Sequence, residues 1–297
     1  MRGIAAAALF LAACLVSSAS LAGGSSQTPY RVAWFQARTI FHSGLVGDHT
    51  IALTFDDGPN ANTRAVLAAL RKDNIKATFF IVGRMAKAHP EILREIAAEG
   101  HLLANHSATH PFLGSSYDSH PARLIAQIKA VNNEIAPLQP RGTRLFFRAP
   151  YGAWRAAHAK ILNADPVLKH YIGPIYWDVG GETRKNADGY VMSAADWNCW
   201  HRHWDAQICA KGYLREIRRH NGGVVLMHCI HAKSGALVAA VLPPLLQEGY
   251  RFVRLDQVPA YDRYKTPTQP ASPVVAMAEN VPQADGGGGK SRIAAAP

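Results

Sequence analysis

The chain has 297 residues and a mass of 32.2 kDa, with 48% hydrophobic and 18% charged residues, which suits one large or two small globular domains. Gly 24 and Pro 18 exclude a collagen-like chain, and Cys 4 excludes a disulfide-framework miniprotein or an array of all-cysteine zinc sites. Lys and Arg total 32 against 21 Asp and Glu, and the resulting +11 attracts anions such as nucleic acid, phospholipid or an acidic cell-wall polymer.

Met1 and Arg2 precede an apolar stretch from Ile4 to Val16 and then small residues around Ser20 and Ala22. This is the pattern of a secretory signal peptide over residues 1–22, with an apolar run too short for a transmembrane span. Leu11-Ala12-Ala13-Cys14 also fits a bacterial lipobox, which would place a lipid anchor on Cys14. Export makes nucleic acid an unsuitable partner and points to a secreted, periplasmic or envelope-associated protein. Residues 23–47 read as a lead-in to the folded body.

Within the body, residues 50–55 read as a buried strand, and Val66, Leu67 and Leu70 set a helical stripe over residues 62–73. Residues 77–82 form a second apolar strand, residues 90–99 a helix with Pro90 at its start, and residues 101–105 a third strand. Leu124, Ile128, Val131 and Ile135 mark another helix. Residues 144–147, 171–178, 223–228 and 251–255 are further strands, and residues 236–247 a helix. About seven strands separated by helices predict an α/β fold with a parallel sheet, open or closed into a barrel. From 263 to 297 the Pro-, Gly- and Ala-rich texture predicts a disordered tail.

Polar residues recur where these strands end: Asp56-Asp57, His106, Arg148, Asp178 and His228. That edge is where parallel α/β folds collect their chemistry. A turn at Gly58-Pro59 needs one Asp; two adjacent carboxylates can address a metal and a water separately. His106 and His110, four residues apart, can grip one metal on a helical turn or a tight loop. Two imidazoles and a carboxylate leave coordination positions open, as catalytic sites do. Arg148 can pair with a nearby carboxylate, and the Pro150-Tyr151-Gly152 turn can present an amide to an oxyanion. His228, closing an apolar strand, is a candidate general acid or a satisfied core histidine, while His231 reads as a loop residue.

These motifs, in this order, resemble the polysaccharide deacetylase family, also called the NodB homology domain or carbohydrate esterase family 4. Thr54-Phe55-Asp56-Asp57-Gly58-Pro59, His106-Ser107-x-x-His110, Arg148-x-Pro150-Tyr151 and Leu226-Met227-His228 carry the resemblance, which covers about residues 48–262. The fourth family motif, D-x-x-D-W, is split: Trp177-Asp178 is followed only later by Asp196-Trp197, with an apparent insertion over about 180–212.

The resemblance implies a distorted, incomplete (β/α) barrel. It implies one divalent ion, zinc first with cobalt or nickel as other choices, on Asp57, His106 and His110. Asp56 would be the general base toward a metal-bound water, with Arg148 holding it. The Tyr151 amide would stabilise the oxyanion, Leu226 would line the acetyl pocket, and His228 would protonate the leaving amine. Asp196 would orient His228, with Asp178 as the rival for that role. The implied substrate is an N-acetylated glycan, peptidoglycan-like first, then chitin oligomers or an exopolysaccharide. The alternatives are hydrolysis of another C–N bond on the same fold, or a catalytically silent glycan-binding module. No oligomeric state follows from the sequence.

Trp197, Trp200, Trp204 and Tyr190 make the inserted segment a sugar platform or a small satellite core. Cleavage after Ala22 would leave Cys199, Cys209 and Cys229. The oxidising compartment and the short step between Cys199 and Cys209 predict a disulfide there, with Cys229 a buried free thiol.

Overall fold

The computed structural model describes residues 35–40, 45–140 and 142–263. The expected leader, Cys14 and the tail beyond 263 lie outside the described residues. The chain runs β1 (Phe35–Ile40), β2 (Thr50–Asp56), α1 (Thr63–Lys72), β3 (Thr78–Ile81), α2 (Gly83–Ala88), α3 (Pro90–Ala98), β4 (Leu102–Asn105) and α4 (Pro121–Ile135). It continues through β5 (Leu145–Phe146), α5 (Ala156–Ala164), β6 (Tyr171–Ile175), β7 (Arg184–Lys185), β8 (Val191–Ser193), α6 (Asp196–His201) and α7 (Ala206–His220). It closes with β9 (Gly222–His228), α8 (Ser234–Gln247) and β10 (Arg251–Val253).

The apolar run of β2 is buried at every position because it has parallel neighbours on both sides, β9 along its length and β10 and β3 along its two halves. β3 continues to β4, and β1, β6 and β5 form a second parallel set. Single parallel bridges, Asn105 to Phe147 and Val179 to Val225, carry the order from β4 to β5 and from the segment after β6 to β9. Parallel strands thus run round a distorted barrel with two weak seams. Among the described residues no helix is long and apolar enough to cross a membrane.

The main core lies between this sheet and α1, α3, α7 and α8, with Ile51, Leu53 and Phe55 of β2 against Val66, Leu67 and Leu70 of α1 and Leu237, Val241 and Leu245 of α8. A second core joins β1 to α4 and α5, where Phe35 stacks on Trp154 and Tyr171. Each fully buried Leu, Ile, Val or Phe contributes roughly 1.5–3 kcal/mol.

Three expectations change. The lead-in contains β1, paired with β6, so the folded body starts before residue 48. The strand foreseen over 171–178 stops at Ile175, and Trp177 beyond it lines the cleft while the Tyr176 carbonyl accepts from Arg148. The inserted segment, which holds an antiparallel β7–β8 pair and the short α6, extends past the foreseen boundary at 212, because α7 runs on to His220.

Candidate active site

Strand register assembles the site. β2 and β9 run so that Asp56 is the direct partner of His228. Ile81 of β3 pairs with Asn105, and the His106 amide donates to the Ile81 carbonyl at 2.9 Å. Asn105 in turn bridges Phe147, and the Arg148 amide donates to its carbonyl at 3.0 Å. The carboxyl ends of four strands therefore deliver Asp56-Asp57, His106, Arg148 and His228 to one region, as expected of this edge. A cleft of about 580 Å³ opens there, lined by Asp56, Asp57, His106, His110, Tyr151 and His228 among others. Asp57, Ser107, His110 and Tyr151 all have left-handed backbone, with φ of 74°, 68°, 57° and 58°, a costly arrangement for non-glycine residues that gathers at functional sites.

Asp57, His106 and His110 could hold a metal ion: one ligand atom from each lies within 4.8 Å of the others. Asp57 Oδ1 sits 3.1 Å from His110 Nε2 and 3.5 Å from His106 Nε2, is buried, and has no hydrogen bond of acceptable geometry. His106 Nδ1 donates to the Arg148 carbonyl at 2.8 Å, which leaves the Nε2 lone pair facing Asp57 and His110. Burial pulls the His106 pKa below its ordinary value, which keeps the ring neutral. Burial works to raise Asp57, but the close His110 ring and the fields of His106 and His228 outweigh it and hold the carboxyl well below its ordinary range. An ionised carboxylate oxygen without a hydrogen bond, facing two imidazole nitrogens, is a donor set that fits a divalent cation.

Arg148 is fully buried, and burial lowers its guanidinium from the ordinary value against the opposing Asp56 carboxylate. Its Nη1 donates to Asp56 Oδ1 at 2.6 Å and to Thr54 Oγ1 at 2.9 Å, and its Nε to the Ile175 carbonyl at 3.1 Å. The guanidinium lies 4.1 Å from the Phe80 ring centroid. These contacts leave the second Asp56 oxygen toward His106, at 3.5 Å.

On the opposite side, His228 Nδ1 faces Asp196 Oδ1 at 2.7 Å, while the His228 amide donates to Asp196 Oδ2 at 2.6 Å. Burial would lower the imidazole, but Asp196 first, then Asp57 and Asp56, raise it to about 9. His231 is the other titratable ring beside it, 6.3 Å away between centroids. Burial lowers His231 from its ordinary value.

Residues 44–167 match the polysaccharide deacetylase family. The chitooligosaccharide deacetylase of Rhizobium leguminosarum bv. trifolii is 39% identical over 134 residues, 44% of this chain and 58% of its own length. The peptidoglycan-N-acetylglucosamine deacetylase of Bacillus cereus is 36% identical over 128 residues, 43% of this chain and 44% of its own. The solved structure of the peptidoglycan deacetylase PdaC from Bacillus subtilis is similar with a TM-score of 0.53 at 25% identity, covering 73% of this chain and 92% of that one. Over residues 44–167 the chain is similar to the polysaccharide deacetylase family, as are the relatives it matches. It spans about half the length of the two sequence relatives, 58% and 44%.

Within this cleft, the structure brings together Asp56, Asp57, His106, His110, Arg148, Tyr151, Leu226, His228 and Asp196. It does not bring Asp178 to His228. The Asp178 carboxylate accepts from the Val224 amide at 2.8 Å, and its own amide donates to the Val224 carbonyl at 2.9 Å, so it ties the segment after β6 to β9. The carboxylate that meets His228 is that of Asp196 at the start of α6. His231, read as a loop residue, lines the cleft, as do Trp177 and Ile230. Of the inserted aromatics, Trp197 lines the cleft, whereas Trp200 and Trp204 pack against the main core. Thr54 and Tyr213 were not foreseen. Thr54 had a signal, a hydroxyl within an otherwise apolar buried strand; it donates to the Val225 carbonyl at 2.7 Å and accepts from Arg148.

Cys199 of α6 and Cys209 of α7 are joined by a disulfide, and Cys229 is a buried free thiol that burial pushes up to about 12. Reducing that bond, which closes a separation of 10 residues, is expected to lower stability by about 2–3 kcal/mol. Thermal melts with and without reductant test this, and identical melts for the oxidised and reduced protein contradict it.

Proposed function

We propose that this protein removes N-acetyl groups from an N-acetylhexosamine-containing glycan, a peptidoglycan-like polymer first, with one divalent cation, zinc first, held by Asp57, His106 and His110. The observation that carries the reading is the convergence, on one cleft, of that donor set, an Arg148-held Asp56 and an Asp196-held His228. The named relatives act on chitooligosaccharide and on peptidoglycan N-acetylglucosamine, which supports the substrate class. A substrate of this kind fits an exported protein, as the leader-like residues 1–22 suggest.

Bound at Asp57, His106 and His110, the cation supplies Lewis-acid polarisation of the amide carbonyl and activation of water near neutral pH. Asp56, kept in place by Arg148, takes a proton from the water that attacks the acetyl carbon. The Tyr151 amide donates to the oxygen that gains charge, and Leu226 packs against the acetyl methyl. The C–N bond then breaks as His228 gives its proton to the sugar nitrogen, releasing acetate and a free amine. Trp177, Trp197 and the exposed Tyr151 ring offer faces for sugar rings along the cleft. Acetate release from N-acetylated glycans, against release of ammonia or formate, separates this activity from other C–N hydrolysis, and a silent binding module gives none of them.

A His228 pKa of about 9 leaves the ring protonated at neutral pH, as a general acid requires. The rate is expected to fall on an alkaline limb at or below about 9, since a cation beside Asp57 pulls the imidazole down from that value. Because the folded-state pKa is raised, the stabilisation it carries is full below the ordinary histidine value of 6.5 and is lost as pH rises through about 9. His228→Ala is expected to cut turnover roughly 10²–10⁴-fold and to remove the limb. A variant profile with the wild-type alkaline limb takes His228 out of this role.

A further inference from the structure

We infer that Tyr213 is a positioning residue for the Asp196–His228 pair, acting from the face of α7 that also carries Cys209 and Gly212. The inference rests on the proposed reading of His228 as the general acid. It concerns the ordered insertion, where this chain departs from the contiguous D-x-x-D-W pattern.

The helix that supplies Asp196 is only six residues long, too short to hold its own geometry. Its first residue is nonetheless fully buried and fixed on two sides. The side chain meets His228 through both oxygens, at 2.6 and 2.7 Å. The Asp196 amide, one of the donors a helix start leaves without an internal partner, donates to the Tyr213 hydroxyl at 3.0 Å. The Tyr213 hydroxyl donates in turn to the Leu226 carbonyl at 3.0 Å. One phenol thus ties the backbone of Asp196 to β9 two residues before His228.

The rest of that face brings α7 close enough to do this. One turn before Tyr213, Cys209 holds Cys199 in α6. Between them, a Cβ on Gly212 would lie 2.5 Å from Ala194 Cβ and 2.9 Å from Ala194 N, so only glycine lets α7 meet the chain entering α6. On the other side Gly180, at φ 94°, leaves room where a Cβ would stand 3.1 Å from the Tyr213 hydroxyl and 2.2 Å from the Leu226 carbonyl oxygen. Tyr213 has no exposed surface, and its hydroxyl both donates and accepts, so its role is not filled by an apolar ring of the same shape. Burial, with the nearby Asp196 charge, pushes the hydroxyl well above its ordinary pKa, which keeps it a donor.

Tyr213→Phe leaves the packing and removes both bonds, so the Asp196 amide and the Leu226 carbonyl lose their partner. The wild-type protein, Tyr213→Phe, a Cys199→Ala/Cys209→Ala variant, Asp196→Asn and Tyr213→Phe combined with Asp196→Asn are compared on N-acetylated chitopentaose. The His228 ring is titrated by NMR in the cation-free proteins. Tyr213→Phe is expected to lower kcat roughly 5–30-fold with KM unchanged within about twofold. The alkaline limb and the His228 titration midpoint are both expected to move to lower pH, with a smaller move in the same direction for the cysteine variant. In the Asp196→Asn background, Tyr213→Phe is expected to add less than about a twofold loss. An unmoved midpoint and limb in both variants overturn the inference even if stability falls, as does an undiminished Tyr213→Phe effect beside Asp196→Asn. Should wild type release no acetate from any glycan, the catalytic reading fails while the NMR midpoints still decide whether Tyr213 positions the pair. Should Tyr213→Phe not fold, the midpoint in the cysteine variant and in reduced wild type decides it.

Discussion

Asp56→Asn is expected to lower turnover roughly 10²–10⁴-fold while the protein still binds a divalent cation. The amide cannot accept the proton of the attacking water, yet it matches the carboxylate in size and keeps an oxygen toward Arg148 Nη1, now 2.6 Å from Asp56 Oδ1. The variant is also expected to melt lower. Removing one partner of a buried ion pair costs about 3–5 kcal/mol, and an asparagine that preserves the hydrogen bond limits the loss to less than that. Initial rates across pH, with melts followed by circular dichroism at the assay temperature, separate the two effects. Near-normal turnover by a folded Asp56→Asn protein would assign the base to another group.

His110→Ala removes one of the three converging ligands and is expected to weaken zinc binding by more than about 100-fold, beyond the usual cost of losing a group that merely supports a ligand. His110 contributes the closest approach to Asp57, 3.1 Å against 3.5 Å for His106, and no other His, Cys, Asp or Glu joins that cluster among the described residues. Calorimetric titration of zinc into chelator-treated protein measures the affinity. His228→Ala serves as the comparison, because it lies on the same cleft without joining the donor set and is expected to retain tight binding. Equal zinc affinities for wild type and His110→Ala would contradict the assigned ligands.

Much of this site is legible in the sequence because a parallel barrel turns strand ends into a common rim. Asp56, His106, Arg148 and His228 each follow an apolar run, so finding the strands finds the residues. What the sequence does not show is which strand ends meet. Asp178 also follows an apolar run, yet the chain leaves the sheet after Ile175 and Asp178 bonds to the Val224 backbone instead. Asp196 meets His228 only through the tertiary placement of α6, which rests on α7. That helix carries its buried stripe, Cys209, Gly212, Tyr213, Glu216 and Ile217, at regular helical spacing, but glycine and glutamate stand at two of those positions in place of apolar side chains. β1 is missed for a related reason: Gln36, Arg38 and Thr39 interrupt its pattern, and its partner β6 is far away in sequence. The Cys199–Cys209 pairing is legible because it is local and needs only chain proximity.

The most direct test of the account is metal reconstitution with product counting. Protein stripped with a chelator is titrated with zinc, and acetate and free amine are measured on an N-acetylated glycan at each addition. The account predicts no release from stripped protein, a linear return of activity that saturates at one zinc per chain, and one amine for each acetate. Full activity after verified metal removal, or no acetate at any zinc, cobalt or nickel loading, would contradict it.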